Sequence, residues 1–198
     1  MTEAGHATGR SANAGENIFL VGLMGAGKTS IGKLLAKRLG KAFLDSDQEI
    51  ERATGVKIPV IFEIEGEPGF RLRESRMLED LVQGGNIVLA TGGGAVLSPQ
   101  NRKLLARNGI VIYLRAGVPD LWSRTRHDRN RPLLRTAEPL LKLEQLYAER
   151  DPLYREIADI IVDTGKQSLG SLAHQLERKL QQFKSSTVKC ADDPARTA

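Results

Sequence analysis

The eight residues Gly22-Leu23-Met24-Gly25-Ala26-Gly27-Lys28-Thr29 fill every fixed position of the pattern G-x-x-x-x-G-K-[ST]. Its chemistry is anion binding. Glycines let successive backbone N–H groups turn toward one point, and the N-terminus of a following helix adds partial positive charge there. The lysine reaches the β- and γ-phosphates of a nucleoside triphosphate, and the threonine hydroxyl sits on Mg2+. The pattern needs a strand before it and a helix after it. Ile18-Phe19-Leu20-Val21 reads as a buried strand, and Ile31 to Leu39 has amphipathic helical spacing. A glycine turn capping a structural helix does not account for all four fixed positions in that context. Gly25, Ala26, Gly27, Lys28, Thr29 and Ser30 are therefore the expected cradle for ATP.

Further along, Asp45-Ser46-Asp47 follows the apolar pair Phe43-Leu44. If the strand stays extended to Asp47, residues two apart face the same way and both carboxylates enter the ligand crevice. One can hold the water shell of Mg2+ and the other can accept a proton from a substrate hydroxyl. Alternatively, Asp47 caps the helix that follows, a role that explains one aspartate and not two. Phe70-Arg71-Leu72-Arg73-Glu74 lies within helical spacing. Arg71 and Glu74, three apart, are either a surface pair or an arginine held ready to fork onto a carboxylate. Thr91-Gly92-Gly93-Gly94-Ala95 ends a strand in a loop that brings backbone close to a ligand. That strand carries no acid for the metal, so the role falls to Asp45 or to Asp163.

Between Arg124 and Arg135 five arginines face one acid, Asp128. The cluster includes Arg131 before Pro132, and its charge and scarcity of apolar anchors predict a mobile lid over about 124–136. A lid arginine neutralises charge on a phosphoryl group in flight; the competing explanation is a solvated basic loop. Arg150, before Asp151-Pro152-Leu153-Tyr154, either caps the end of its helix or reaches the substrate.

These residues need elements to position them. Strands are predicted over 17–22, 42–45, 86–91, 110–115 and 159–163, and helices over 27–39, 47–54, 58–64, 67–83, 99–108, 118–126, 139–150 and 169–183. Ser98 and Ser168 are the expected caps of the helices that follow them. The alternation predicts an α/β fold: a three-layer, doubly wound, parallel five-stranded sheet, with ligands at the carboxyl ends of its strands. Residues 1–16 are polar and small and are expected to be disordered, with a flexible tail over 184–198.

Composition narrows the field. At 198 residues with 40% hydrophobic and 27% charged content, one soluble domain with a real core is expected. The net charge of +5 is modest, and the basic cluster lacks interleaved aromatics, so a phosphate-rich small ligand is favoured over nucleic acid. The one cysteine makes no internal disulfide. No run approaches the roughly 18 apolar residues of a membrane span, and the N-terminus lacks a signal-peptide core. A cytoplasmic monomer is expected.

Taken together, the phosphate loop, Asp45-Ser46-Asp47, Phe70-Arg71 with Glu74, Gly92-Gly93-Gly94, Arg131-Pro132 and Arg150 before Pro152-Leu153-Tyr154 resemble the shikimate kinase family over residues 17–183. The resemblance implies a nucleoside-kinase-like P-loop fold and ATP-dependent phosphorylation of the 3-hydroxyl of shikimate, a step toward aromatic amino acids. It implies that Thr29 and, through water, Asp45 hold Mg2+. Asp47 would bind the acceptor hydroxyl and act as its base. Arg71 and Arg150 would grip the shikimate carboxylate beside Gly92, Gly93 and Gly94. Lys28 and Arg131 would act on the phosphates, and Arg124 would lie near adenine. The loop Gly165-Lys166-Gln167-Ser168 departs from the family in lacking a proline near adenine. A gluconate kinase of the same architecture would not need two arginines for a ring carboxylate. A nucleoside monophosphate kinase suits the paired aspartates less well, and the guanine motif N-K-x-D of a GTPase switch is missing.

Overall fold

The computed structural model of the protein describes residues 17–128, 132–165 and 167–191. Five parallel strands, β1 (Ile18–Val21), β2 (Ala42–Asp45), β3 (Ile87–Ala90), β4 (Ile110–Arg115) and β5 (Ile160–Asp163), form one sheet in the order β2-β3-β1-β4-β5. The central strand β1 pairs Ile18 with Val88 of β3 and with Ile110 of β4. All four residues of β1 and of β3 are buried, as continuous apolar runs covered on both faces must be. Helices α1 (Lys28–Leu39), α2 (Ser46–Thr54), α3 (Ile58–Gln83), α4 (Pro99–Asn108), α5 (Val118–Thr125), α6 (Pro139–Ile157) and α7 (Leu169–Ala191) alternate with the strands. Only the β1–β2 connection runs toward the β2 edge. Right-handed crossovers then place α1 on one face and α3, α4 and α6 on the other. Packing agrees: α1 lies against α7, and α4 lies against α3 and α6. The doubly wound architecture is as expected.

At the amino ends of the strands, buried Asn17 donates from Nδ2 to the Gly84 carbonyl at 3.0 Å and accepts from the Ile87 N–H at 3.3 Å. This fixes the strand ends opposite the ligand crevice. Ser98 and Ser168 cap as expected, accepting from Asn101 N–H at 3.3 Å and Ser171 N–H at 3.2 Å.

One cap and two helix ends differ from expectation. β2 ends at Asp45, which caps α2 by accepting from the N–H groups of Asp47 and Gln48. The extended conformation therefore does not reach Asp47, and Asp45, not Asp47, is the cap. The two helices expected over 58–64 and 67–83 are both present: the span Ile58–Gln83 is broken between them by Gly66 at φ 67°, ψ −178°. Pro68 follows in the first turn of the second segment, where a missing N–H costs nothing. α6 does not close at Arg150 but continues through Pro152 to Ile157. An interior proline costs about 3 kcal/mol. Burial of Tyr154 and Ile157, and ion pairing of Asp151 with Arg155 at 2.6 Å, offset that cost. Arg150 is thus mid-helix and cannot cap the end. α7 runs to Ala191, eight residues beyond Phe183, where a flexible tail is expected. No glycine or proline interrupts 184–191, and Ser185 and Ser186 donate back to the Gln181 and Phe183 carbonyls. The expected disorder of 1–16 and the tail from 192 onward lie outside the described residues.

Candidate active site

A cleft of about 770 Å3 opens at the carboxyl ends of the strands. It is lined by Gly25, Gly27, Lys28, Thr29, Ser30, Asp45, Asp47, Arg71, Gly92, Gly93, Gly94, Arg124 and Arg150, so motifs spread over 125 positions of sequence converge on it. Two expected residues stand apart. Ala26 is 1% exposed and packs into the core, leaving only its backbone for the cradle. Arg131 lies outside the described residues.

On one side, the loop after β1 turns through Gly25 at φ 81° and Gly27 at φ 92°, values that a side chain would resist. Gly27 starts α1 with no side-chain cap, which leaves the first helical amides for an anion. Lys28 Nζ donates to the Gly22 and Leu23 carbonyls at 2.6 and 3.0 Å, arching over the loop. Thr29 Oγ1 donates to Asp45 Oδ2 at 2.7 Å. A hydroxyl and a carboxylate at that separation are the hard oxygen donors that Mg2+ prefers. Asp163, the other candidate for the metal acid, is engaged by Arg115 at 2.6 Å and does not line the cleft. Arg124 donates to the Gly25 carbonyl at 3.2 Å and to the Thr164 and Gly165 carbonyls at 2.8 and 3.0 Å. It thereby bridges the phosphate loop to the segment after β5.

The other side is made of buried charge. Glu74 is 0% exposed and accepts from Arg71 Nη1 at 2.7 Å. Glu67 accepts from Arg71 Nε and Nη2 at 3.1 and 2.8 Å. The pair is more than a bland surface one: Arg71 is clamped on two edges and lies against Gly94, where a Cβ would collide with the guanidinium. Burial opposes the Arg71 charge, but Glu74 and Glu67 outweigh it and hold its pKa above the ordinary value. Burial pushes the Glu74 carboxyl up against the opposing pull of Arg71, and nearby Asp47 adds to the rise. A Cβ at Gly92 would run into both Glu74 Oε1 and Asp47 Oδ1, so these two carboxyl groups meet over that glycine. Gly92 N–H donates to Ser46 Oγ at 2.9 Å, tying the glycine wall to the end of β2.

Arg150 is 2% exposed, and neither its Nε nor its Nη1 has a hydrogen-bond partner among the described residues. An unsatisfied buried guanidinium is costly, so its persistence marks a place for an anion. Sequence reasoning did not single out Glu67, although its spacing four before Arg71 is the signal for a helical ion pair. Ile58, Phe62 and Phe70 supply an apolar wall of the cleft. Phe70 belongs with Ile50 and Ile61 to a small separate core under α2 and α3, legible only as helical periodicity.

Comparison with known proteins is consistent with this arrangement. The family model described as shikimate kinase matches residues 24–181. The shikimate kinase of Cupriavidus pinatubonensis is 58% identical over 181 residues, 90% of this chain and 94% of that one. That of Nitrosococcus oceani is 61% identical over 168 residues, 85% of this chain and 88% of that one. Among solved structures, shikimate kinase from Acinetobacter baumannii in complex with shikimate superposes with TM-score 0.84 at 48% identity, over 87% of this chain and 96% of that one. A gluconokinase from Sinorhizobium meliloti, at 16% identity and TM-score 0.59, shares the fold. With matching motifs along its length and a family model covering most of its residues, the chain belongs to the shikimate kinase family.

Proposed function

We propose that this enzyme transfers the γ-phosphoryl group of ATP to the 3-hydroxyl of shikimate, giving shikimate 3-phosphate and ADP on the route to aromatic amino acids. The observation that carries the reading is the buried Arg150 and the half-buried Arg71 facing one glycine wall beside Asp47. A ring carboxylate gives Arg150 the anion that its unpartnered nitrogens call for, and a hydroxyl on the same ring then falls to Asp47.

In this reading the phosphate loop and Lys28 hold the triphosphate, and Arg124 lies along the base. Thr29 and, through water, Asp45 would hold Mg2+, which supplies charge neutralisation on the phosphate oxygens. Arg71 and Arg150 fix the carboxylate and so orient the ring. Asp47 anchors the acceptor hydroxyl and takes its proton as the oxygen attacks phosphorus in line with the departing ADP oxygen. Most of the rate comes from positioning and charge neutralisation. Residues 17–183 form the catalytic domain, with 124–136 closing as a lid that brings Arg131 onto the phosphates and excludes water.

The test is ADP release with Mg-ATP and shikimate, beside gluconate and a control without acceptor. Shikimate-dependent release far above the control supports the reading. Turnover of gluconate and not shikimate would overturn it.

A further inference from the structure

Tyr154 is 0% exposed and lies one helical turn after Arg150 on α6. Its hydroxyl donates to the Gly93 carbonyl, and the Arg150 guanidinium lies close enough for its charge to act on the same oxygen. Gly93 in turn lies against the phosphate loop: a Cβ there would sit 3.5 Å from Met24 N and 3.6 Å from the Gly22 carbonyl oxygen. One buried oxygen therefore bonds the glycine wall of the acceptor pocket and lies in the field of its arginine. The Tyr154 ring is held separately. Its centroid is 4.9 Å from that of Tyr113, whose hydroxyl donates to Asp151 at 2.7 Å.

We infer that Tyr154 is a positioning residue for the acceptor: its hydroxyl fixes the Arg150 guanidinium against the Gly93 carbonyl and so sets where the substrate carboxylate docks. The inference rests on Arg150 gripping that carboxylate. Among the described residues Glu149 stands 3.9 Å from Arg150 Nε and buried Glu74 shares its field, but neither hydrogen-bonds the guanidinium, so the neighbouring hydroxyl is what orients its head. Burial pushes the Tyr154 pKa well above the usual tyrosine range, so the group stays a neutral donor throughout the working pH range. A core tyrosine that merely satisfies a carbonyl would affect stability and both substrates alike.

Tyr154→Phe removes the oxygen and leaves the ring. The expected result is a rise of about tenfold in shikimate KM and in the shikimate Kd measured by calorimetry, with kcat changed less than about threefold and ATP KM unchanged. In an Arg150→Lys background the same substitution is expected to cost less than half as much, because the two act as a unit. Tyr113→Phe, which breaks the bond to Asp151 in the same stacked pair, is expected to leave shikimate KM unchanged. An unaltered shikimate KM and Kd in Tyr154→Phe, while the wild type phosphorylates shikimate, overturns the inference alone. So does an equal loss for ATP and shikimate. A wild type inert toward shikimate, or an Arg150→Lys enzyme with unchanged shikimate KM, overturns the reading of the site and the inference with it.

Discussion

The two halves of the cleft are built by different means. On the reading proposed above, the nucleotide half is a backbone device: glycines at positive φ, an uncapped helix start, and one lysine and one threonine projecting from it. The acceptor half is a side-chain device, in which buried Glu74 and Arg150 and half-buried Arg71 and Glu67 stand around the Gly92–Gly94 wall. A backbone cradle tolerates change in most of its side chains. A buried charge cluster does not, because removing one member leaves another desolvated and unpaired. Damage should therefore stay local on the nucleotide side and spread on the acceptor side.

That contrast can be broken most severely at Lys28. Lys28→Ala is expected to lower kcat at least about a thousandfold while calorimetry shows unchanged shikimate affinity. A parallel loss of shikimate binding would mean that the halves are not independent. Next in size is Gly92→Ala, whose methyl group displaces Glu74 and Asp47. Activity is expected to fall at least about a hundredfold, with about 1–3 kcal/mol lost from chemical unfolding stability through overpacking. Full activity in that variant would show that the wall can yield. Arg71→Ala is expected to raise shikimate KM by about ten- to a hundredfold without altering ATP KM. It is also expected to cost about 1–3 kcal/mol of stability as buried Glu74 loses its partner. Equal weakening of both substrates would make Arg71 structural.

The smallest effect belongs to Asp163, a charge outside both halves. Arg115 beside it holds its carboxyl below the ordinary value. A lowered folded pKa contributes stability that is present above the unfolded value, near 3.9, and lost as pH falls through the folded one. The group is largely exposed, so Asp163→Asn is expected to cost under about 1 kcal/mol at pH 7 and nothing near pH 2. Thermal melts at the two pH values check it, and a larger deficit at the acid end would reverse the sign.

The same division governs what could be read without coordinates. The phosphate loop is local in sequence, so its strand, turn and helix were legible together, as was the sheet they belong to. The glycine triplet was legible as a close approach but not in its target, because Arg71 and Glu74 come from a different element. Asp45 and Asp47 both line the cleft, as their spacing suggests, but not through an extended strand: β2 stops at Asp45, which itself caps α2. Pro152 read as a helix end because local propensity says so. Tertiary burial of Tyr154 overrides it, and that same burial, invisible in one sequence, hides the role of its hydroxyl.

The glycine wall has a consequence for inhibition. At Gly92 and Gly94 any added carbon meets Glu74, Asp47 or Arg71, groups that the acceptor side cannot spare. Drug resistance often arises by a point mutation that adds bulk where a compound rests. A compound laid flat against Gly92 and Gly94 would rest where added bulk must displace Glu74, Asp47 or Arg71, so escape is expected instead at Gly93, where a Cβ meets only ordinary contacts, or at the rim.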